Sequence, residues 1–238
     1  MTTPFSNALL TRLRSQSEWS KADLLELLRD EYPDLSDATL TWRIHDLKSR
    51  GLLYSAGRGL YVLDPPAAFQ PVLASTPRRM MNRLLTDLPG ADCCLSETNW
   101  LNEVLPSAEP LPKLSFTLIE VEKAHLETAY GLLLGFSRTL FLNPDATEVE
   151  RFVRLHDRAI VLRLLVSEAP KITVNGTPVS SLEKMLVDAL VHTDLYADYQ
   201  PRHRLLLHNA HDHFALNLDR LRRYARRRDK LNELNELL

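Results

Sequence analysis

The sequence predicts a mixed α/β (α+β) protein of two domains, and three observations carry that expectation. Apolar residues recur at helical spacing from Phe5 to Leu47 and then alternate over residues 52–62. Asp64-Pro65-Pro66-Ala67-Ala68 interrupts both periods. Beyond it, short apolar runs such as 114–122 and 159–166 alternate with helical stretches. The 238 residues are 45% hydrophobic and 25% charged, a globular composition that excludes wholesale disorder and collagen-like repeats. The longest apolar runs, such as Ala159 to Val166, fall well short of the roughly 20 residues that span a bilayer. MTTPFSNALLTRLRSQ shows no secretory signal, and the adjacent Cys93 and Cys94 close no loop, so a reduced, cytoplasmic protein is expected.

Within residues 1–64, Phe5, Leu9 and Leu13 predict a first helix over about 5–16. Ser20-Lys-Ala-Asp23 has the form of a capping box, and the leucines at 24, 25, 27 and 28 give the second helix a core face until Pro33 stops it. Ser36 is a good N-cap for a third helix over 37–50, with Leu40, Ile44 and Leu47 inward and Gly51 placed to end it. Leu52-Leu53-Tyr54 and Leu60-Tyr61-Val62 flank a glycine-containing tip and read as a hairpin. Helix, helix, turn, helix, hairpin is the order of a winged helix-turn-helix, in which the third helix enters a DNA major groove.

The prolines at 65 and 66 set the boundary, giving a winged helix-turn-helix DNA-binding domain at 1–64 and a second domain at 65–238. In the second, a helix is expected over 77–88, a short strand at Cys93-Cys94-Leu95 and a helix around 96–105. Strands follow at 114–122, 139–143 and 159–166, with a helix over 123–134. Asn175-Gly176 between Ile172-Thr-Val and Thr177-Pro-Val is a strong hairpin signal, and Ser180-Ser-Leu-Glu183 reads as a capping box opening a helix over 181–192. Residues 195–238 read as helices. The expected whole is an N-terminal winged helix-turn-helix, a small mixed sheet flanked by helices and a helical C-terminus.

Charge distribution points to two candidate interfaces. On the third helix, Trp42 and His45 face outward beside Thr39. Arg43 is placed to donate to a guanine edge or a phosphate, and Arg58 on the hairpin tip to a phosphate. The alternatives are that Trp42 packs on another surface and that Arg43 and Arg58 are solvated charges. The second interface is RLRRYARRRDK at 220–230, seven basic residues and one acid on an otherwise acidic body. There Arg222, Arg223, Arg226 and Arg227 suit a phosphate or an acidic partner, against the plainer reading of a solvated face.

Enzyme chemistry has thinner support. Glu120, Glu122 and Lys123 resemble, loosely, the carboxylate-and-lysine strand of restriction-type nucleases, which would make the chain a metal-dependent nuclease. The spacing is Glu-x-Glu-Lys, however, and no upstream Pro-Asp partner precedes it. His203, His208, His211 and His213 lack a four-ligand zinc signature. A third option is an adaptor whose winged helix binds protein.

Taken together, Leu40-Thr-Trp-Arg-Ile44, Lys48-Ser-Arg-Gly-Leu-Leu53, Gly57-Arg-Gly-Leu-Tyr61, Val174-Asn-Gly176, Ser181-Leu-Glu-Lys-Met-Leu-Val-Asp188 and Arg223-Tyr-Ala-Arg-Arg227 resemble the AbiEi-like antitoxins of type IV toxin–antitoxin systems. The resemblance implies a non-catalytic, cofactor-free transcriptional autorepressor that binds operator DNA. It also implies a C-terminal domain that counteracts a cognate nucleotidyltransferase toxin, and it carries the DNA-contact role to Trp42, Arg43 and Arg58. The slightly acidic balance of residues 1–64 departs from a tight monomeric DNA binder and suggests a homodimer on paired half-sites.

Overall fold

A computed structural model describes residues 5–57, 59–64, 67–105, 110–112 and 115–238. They fall into two compact units, 1–68 with 211–215, and 69–210 with 216–238. The expected boundary at 64/65 did not anticipate that residues 211–215 group with the first unit, through a parallel bridge from Ala67 to Phe214. Pro65 and Pro66 lie outside the described residues.

The first unit contains α1 (Asn7–Leu13), β1 (Glu18–Ser20), α2 (Lys21–Glu31), α3 (Asp37–Ser49), β2 (Tyr54–Gly57) and β3 (Leu60–Val62). Local chemistry accounts for the helix ends. Ser20 accepts from Asp23 N while the Asp23 carboxylate accepts from Ser20 N, closing the expected capping box. Gly51 follows α3 at φ +67°, a left-handed position that glycine adopts without strain, and Leu52 N returns to Leu47 O at 3.0 Å. Leu9, Leu13, Leu24, Leu28, Leu40, Leu47 and Leu53 form one buried cluster with Trp19 and Ile44.

β1 was not expected. Three residues carry too little alternation to announce a strand, and its pairing partner β3 lies some forty residues on. Trp19 anchors it, buried, with its indole N–H donating to Leu13 O at 2.9 Å. The resulting antiparallel sheet has the order β1-β3-β2.

The second unit is built on a six-stranded mixed sheet of order β6-β7-β5-β4-β9-β8: β4 (Cys93–Glu97), β5 (Thr117–Val121), β6 (Leu140–Leu142), β7 (Ile160–Leu164), β8 (Lys171–Val174) and β9 (Thr177–Ser180). Its central strands are near-continuous apolar runs, as strands covered on both faces require. Asn175 and Gly176, at φ +50° and +79°, form the expected tight turn between β8 and β9. Cys93 and Cys94 are buried free thiols on β4.

Helices α4 (Ser75–Asp87), α5 (Leu126–Leu133), α6 (Ala146–Arg151), α7 (Leu182–Val191), α8 (His203–His213), α9 (Leu218–Arg227) and α10 (Leu231–Leu237) complete the fold, α8 running on into 211–215. Two expectations need correction. The helix expected around 96–105 is a continuation of β4 to Glu97 and then a 3-10 segment, Thr98–Glu103. The N-cap of α7 is Ser181, not Ser180, so Glu183 is not positioned to close a capping box; Ser180 is a buried strand residue instead. No described helix is long and apolar enough to cross a membrane.

Candidate functional site

Helix α3 begins at Ser36, whose hydroxyl accepts from Thr39 N and lies 3.0 Å from the Thr39 hydroxyl. Leu40, Ile44 and Leu47 point into the core, so Ala38, Thr39, Trp42, His45 and Ser49 share the exposed side. Trp42 is 52% exposed, the largest apolar side chain left in water on this helix. Thr39, Trp42 and His45 are therefore brought together on one open face.

Arg43 is placed differently. It is half-buried, with its guanidinium over the Tyr32 ring at 4.9 Å and the Phe5 ring at 5.5 Å. Arg50, seven residues on and so on the same side, lies 5.1 Å from the Phe5 ring and donates to the buried Asp46 carboxylate at 2.9 Å. These aromatic partners come from the start of the chain and the α2–α3 turn, which spacing within α3 does not reveal. Arg58 lies outside the described residues.

On α9, Leu221, Tyr224 and Ala225 are buried, Arg223, Arg226 and Arg227 are exposed, and Arg222 is half-buried. Arg227 donates to Glu168 at 2.7 Å and to the Ser167 hydroxyl at 2.8 Å.

Residues 39–238, from inside α3 to the last residue, match a family of unknown function designated DUF6577. The chain belongs to DUF6577. That family description carries no activity and no link to the antitoxins that the motifs resemble. No curated protein matches the chain.

The most concentrated polar chemistry of this DUF6577 member lies inside its second unit, where Glu120 meets a partner that the sequence did not reveal. The Lys184 ammonium on α7 pairs with the carboxylates of Glu120 on β5 and Asp188 one turn along, all three side chains at most 1% exposed. Tyr224 donates its hydroxyl to Asp188 at 2.9 Å, and Arg228 donates to the Tyr224 oxygen at 3.2 Å. Burial works against the Lys184 charge, but Asp188 and Glu120 outweigh it and hold its pKa above the ordinary lysine value. Burial raises the Glu120 carboxyl. For Asp188 the nearby Lys184, His192 and Arg228 overcome burial and lower it. His192, which ends α7, sits between the guanidiniums of Arg163 and Arg228. Its pKa falls to about 4, first through burial, so the imidazole is neutral at pH 7 and accepts from one of the two. The available signal was a lysine and an aspartate four residues apart in a helix that, Glu183 aside, is otherwise apolar.

This network separates the residues of the nuclease alternative. Glu120 is sealed against Lys184, whereas Glu122 is half-exposed, accepts from Asp92 N at 2.8 Å and meets His125 at 3.2 Å. Lys123 is exposed in a 3-10 turn. Among the described residues no group of three or more His, Cys, Asp or Glu side chains is arranged to hold a metal ion. Of the four C-terminal histidines, His203 is buried and His211 meets Asp212 at 3.2 Å.

Proposed function

We propose that this chain is a DNA-binding transcriptional autorepressor whose first unit acts as a winged helix-turn-helix, with α3 in the major groove. The observation that carries this reading is the open face of α3, where Trp42 is exposed between Thr39 and His45 while the opposite face is locked into the core. Thr39 and His45 would donate to or accept from base edges or phosphates. Trp42 would cover the apolar parts of the groove, such as thymine methyl groups and sugars. Arg43 is then a positioning residue, holding α3 against Tyr32 and Phe5. The cations Arg12, Arg29 and Arg50 are already paired with Asp30, Asp37 and Asp46. Arg14, Lys21 and Lys48 stay exposed and make no ion pair among the described residues, a small set of phosphate contacts per copy that favours a homodimer on paired half-sites.

The motif resemblance extends the reading to an antitoxin acting in the cytoplasm, with the second unit counteracting a nucleotidyltransferase toxin. The test is fluorescence anisotropy on the DNA upstream of the chain's own gene against a scrambled duplex, at two salt concentrations. Preferential, salt-sensitive binding to the upstream duplex is expected; equal weak binding to both contradicts repression. Restored growth when the chain is co-expressed with a nucleotidyltransferase toxin encoded beside its gene tests the antitoxin half separately.

One observation favours a second reading, a protein-interaction adaptor. Trp42 is an exposed aromatic, and the arginine beside it is turned onto rings of its own unit. In that case Trp42→Ala breaks a protein complex and leaves any DNA binding unchanged.

A further inference from the structure

A hollow of about 560 Å³ opens along α9 in the second unit, walled on its other side by the segment from Glu168 to Lys171. Arg220, Arg223 and Arg227 follow one another at spacings of three and four, so one side of α9 faces the hollow, and Arg226 and Lys171 complete the rim. Five cations and one carboxylate, Glu168, line it, a formal balance of +4 (5 − 1).

Three of these cations already have partners. Arg227 is held by Glu168 and Ser167, Arg220 lies 3.7 Å from Glu183, and Lys171 pairs with Asp92. Arg223 and Arg226 make no ion pair among the described residues. Tyr224, which lines the floor, is buried and tied down by its hydroxyl, which donates to Asp188 in the Lys184 network. Clustered guanidiniums over a fixed floor suit an anion with several oxygens close together, since each planar fork donates two parallel N–H groups. An apolar ligand finds little to bury against here. An extended nucleic-acid backbone spaces its phosphates along a line, whereas these side chains gather around one concavity.

We infer that this hollow binds a compact oligophosphate, either free or as the phosphate tail of a nucleotide. The site goes beyond the DNA-binding reading and shares no residue with it. Arg222, also basic and on the same helix, does not line the hollow and serves as the internal control.

The experiment is isothermal titration of the full chain with inorganic tripolyphosphate, ATP and adenosine in turn, with thermal unfolding as a folding check on each variant. Tripolyphosphate is expected to saturate one site per chain. Arg223→Ala/Arg226→Ala should weaken it by about tenfold or more, and Arg222→Ala by less than about twofold. Equal affinities for tripolyphosphate and ATP identify a free oligophosphate site, and tighter ATP with silent adenosine identifies a nucleotide tail. Three results overturn the inference: no saturable binding, binding indifferent to the Arg223/Arg226 pair, or about tenfold tighter binding of a single-stranded oligonucleotide or a polyglutamate peptide that the same pair abolishes.

Discussion

Helices α3 and α9 both carry arginines and both present a face to solvent, yet they are held in opposite ways. Leucine and isoleucine side chains anchor α3, and its arginines turn back onto Phe5, Tyr32 and Asp46, leaving threonine, tryptophan and histidine outward. α9 is anchored in part by a polar chain, Tyr224 and Arg228 on Asp188 and thence Lys184 and Glu120, and it leaves arginines outward. A count of basic residues therefore says little about surface charge. What decides it is whether an aromatic ring or a carboxylate lies within reach of each guanidinium, and that is set by tertiary packing.

The sharpest break of this contrast is Lys184→Met. Removing the cation leaves Glu120 and Asp188 buried without a counter-charge, and a loss of about 3–5 kcal/mol in urea unfolding is expected. A loss below about 1 kcal/mol would mean that α7 and α9 are held by their apolar contacts alone.

The pH dependence of the same region comes next. The folded His192 titrates near 4, against 6.5 in the unfolded chain, so between those values the unfolded state binds more protons and stability falls as pH is lowered. The full effect is about 3 kcal/mol. Glu120, raised by burial, acts with the opposite sign, taking up its proton in the folded state first. The quantity to measure is thus the difference between wild type and His192→Gln across that window. Parallel curves would contradict a neutral, buried imidazole.

In the first unit the expected effects are smaller. Gly51→Ala places a Cβ at φ +67° and 3.3 Å from the Tyr54 hydroxyl, costing about 1–2 kcal/mol in thermal or urea unfolding. Arg43→Ala removes a guanidinium from two rings and should cost about 1 kcal/mol. An unchanged unfolding midpoint for Arg43→Ala would show that the stacking contributes nothing and would return Arg43 to the candidate DNA contacts.

Much of the fold was legible because it rests on local chemistry. The caps at Ser20 and Ser36, the turn at Asn175-Gly176 and the stop at Gly51 each need a particular residue at a particular backbone angle. The elements that were missed depend on remote partners. β1 exists because β3 comes back to pair with it. α6 (Ala146–Arg151) is the exception: it is started by a local Asp145–Glu148 capping box, but its six residues are too few to show an apolar stripe. The open face of α3 followed directly from helical period. The stacking of Arg43 did not, because Phe5 is 38 residues away along the chain. The Glu120–Lys184–Asp188 network was hidden for the same reason: a strand glutamate reads as surface until the helix that neutralises it is in place.

The central claim is that the outward face of α3 reads DNA, and Trp42→Ala tests it most directly. Truncating a half-exposed side chain should leave unfolding within about 0.5 kcal/mol of wild type. Anisotropy with the upstream duplex should nevertheless show affinity falling by about tenfold or more. Wild-type affinity for that duplex in a folded Trp42→Ala protein would contradict the account and assign the exposed indole to a protein partner.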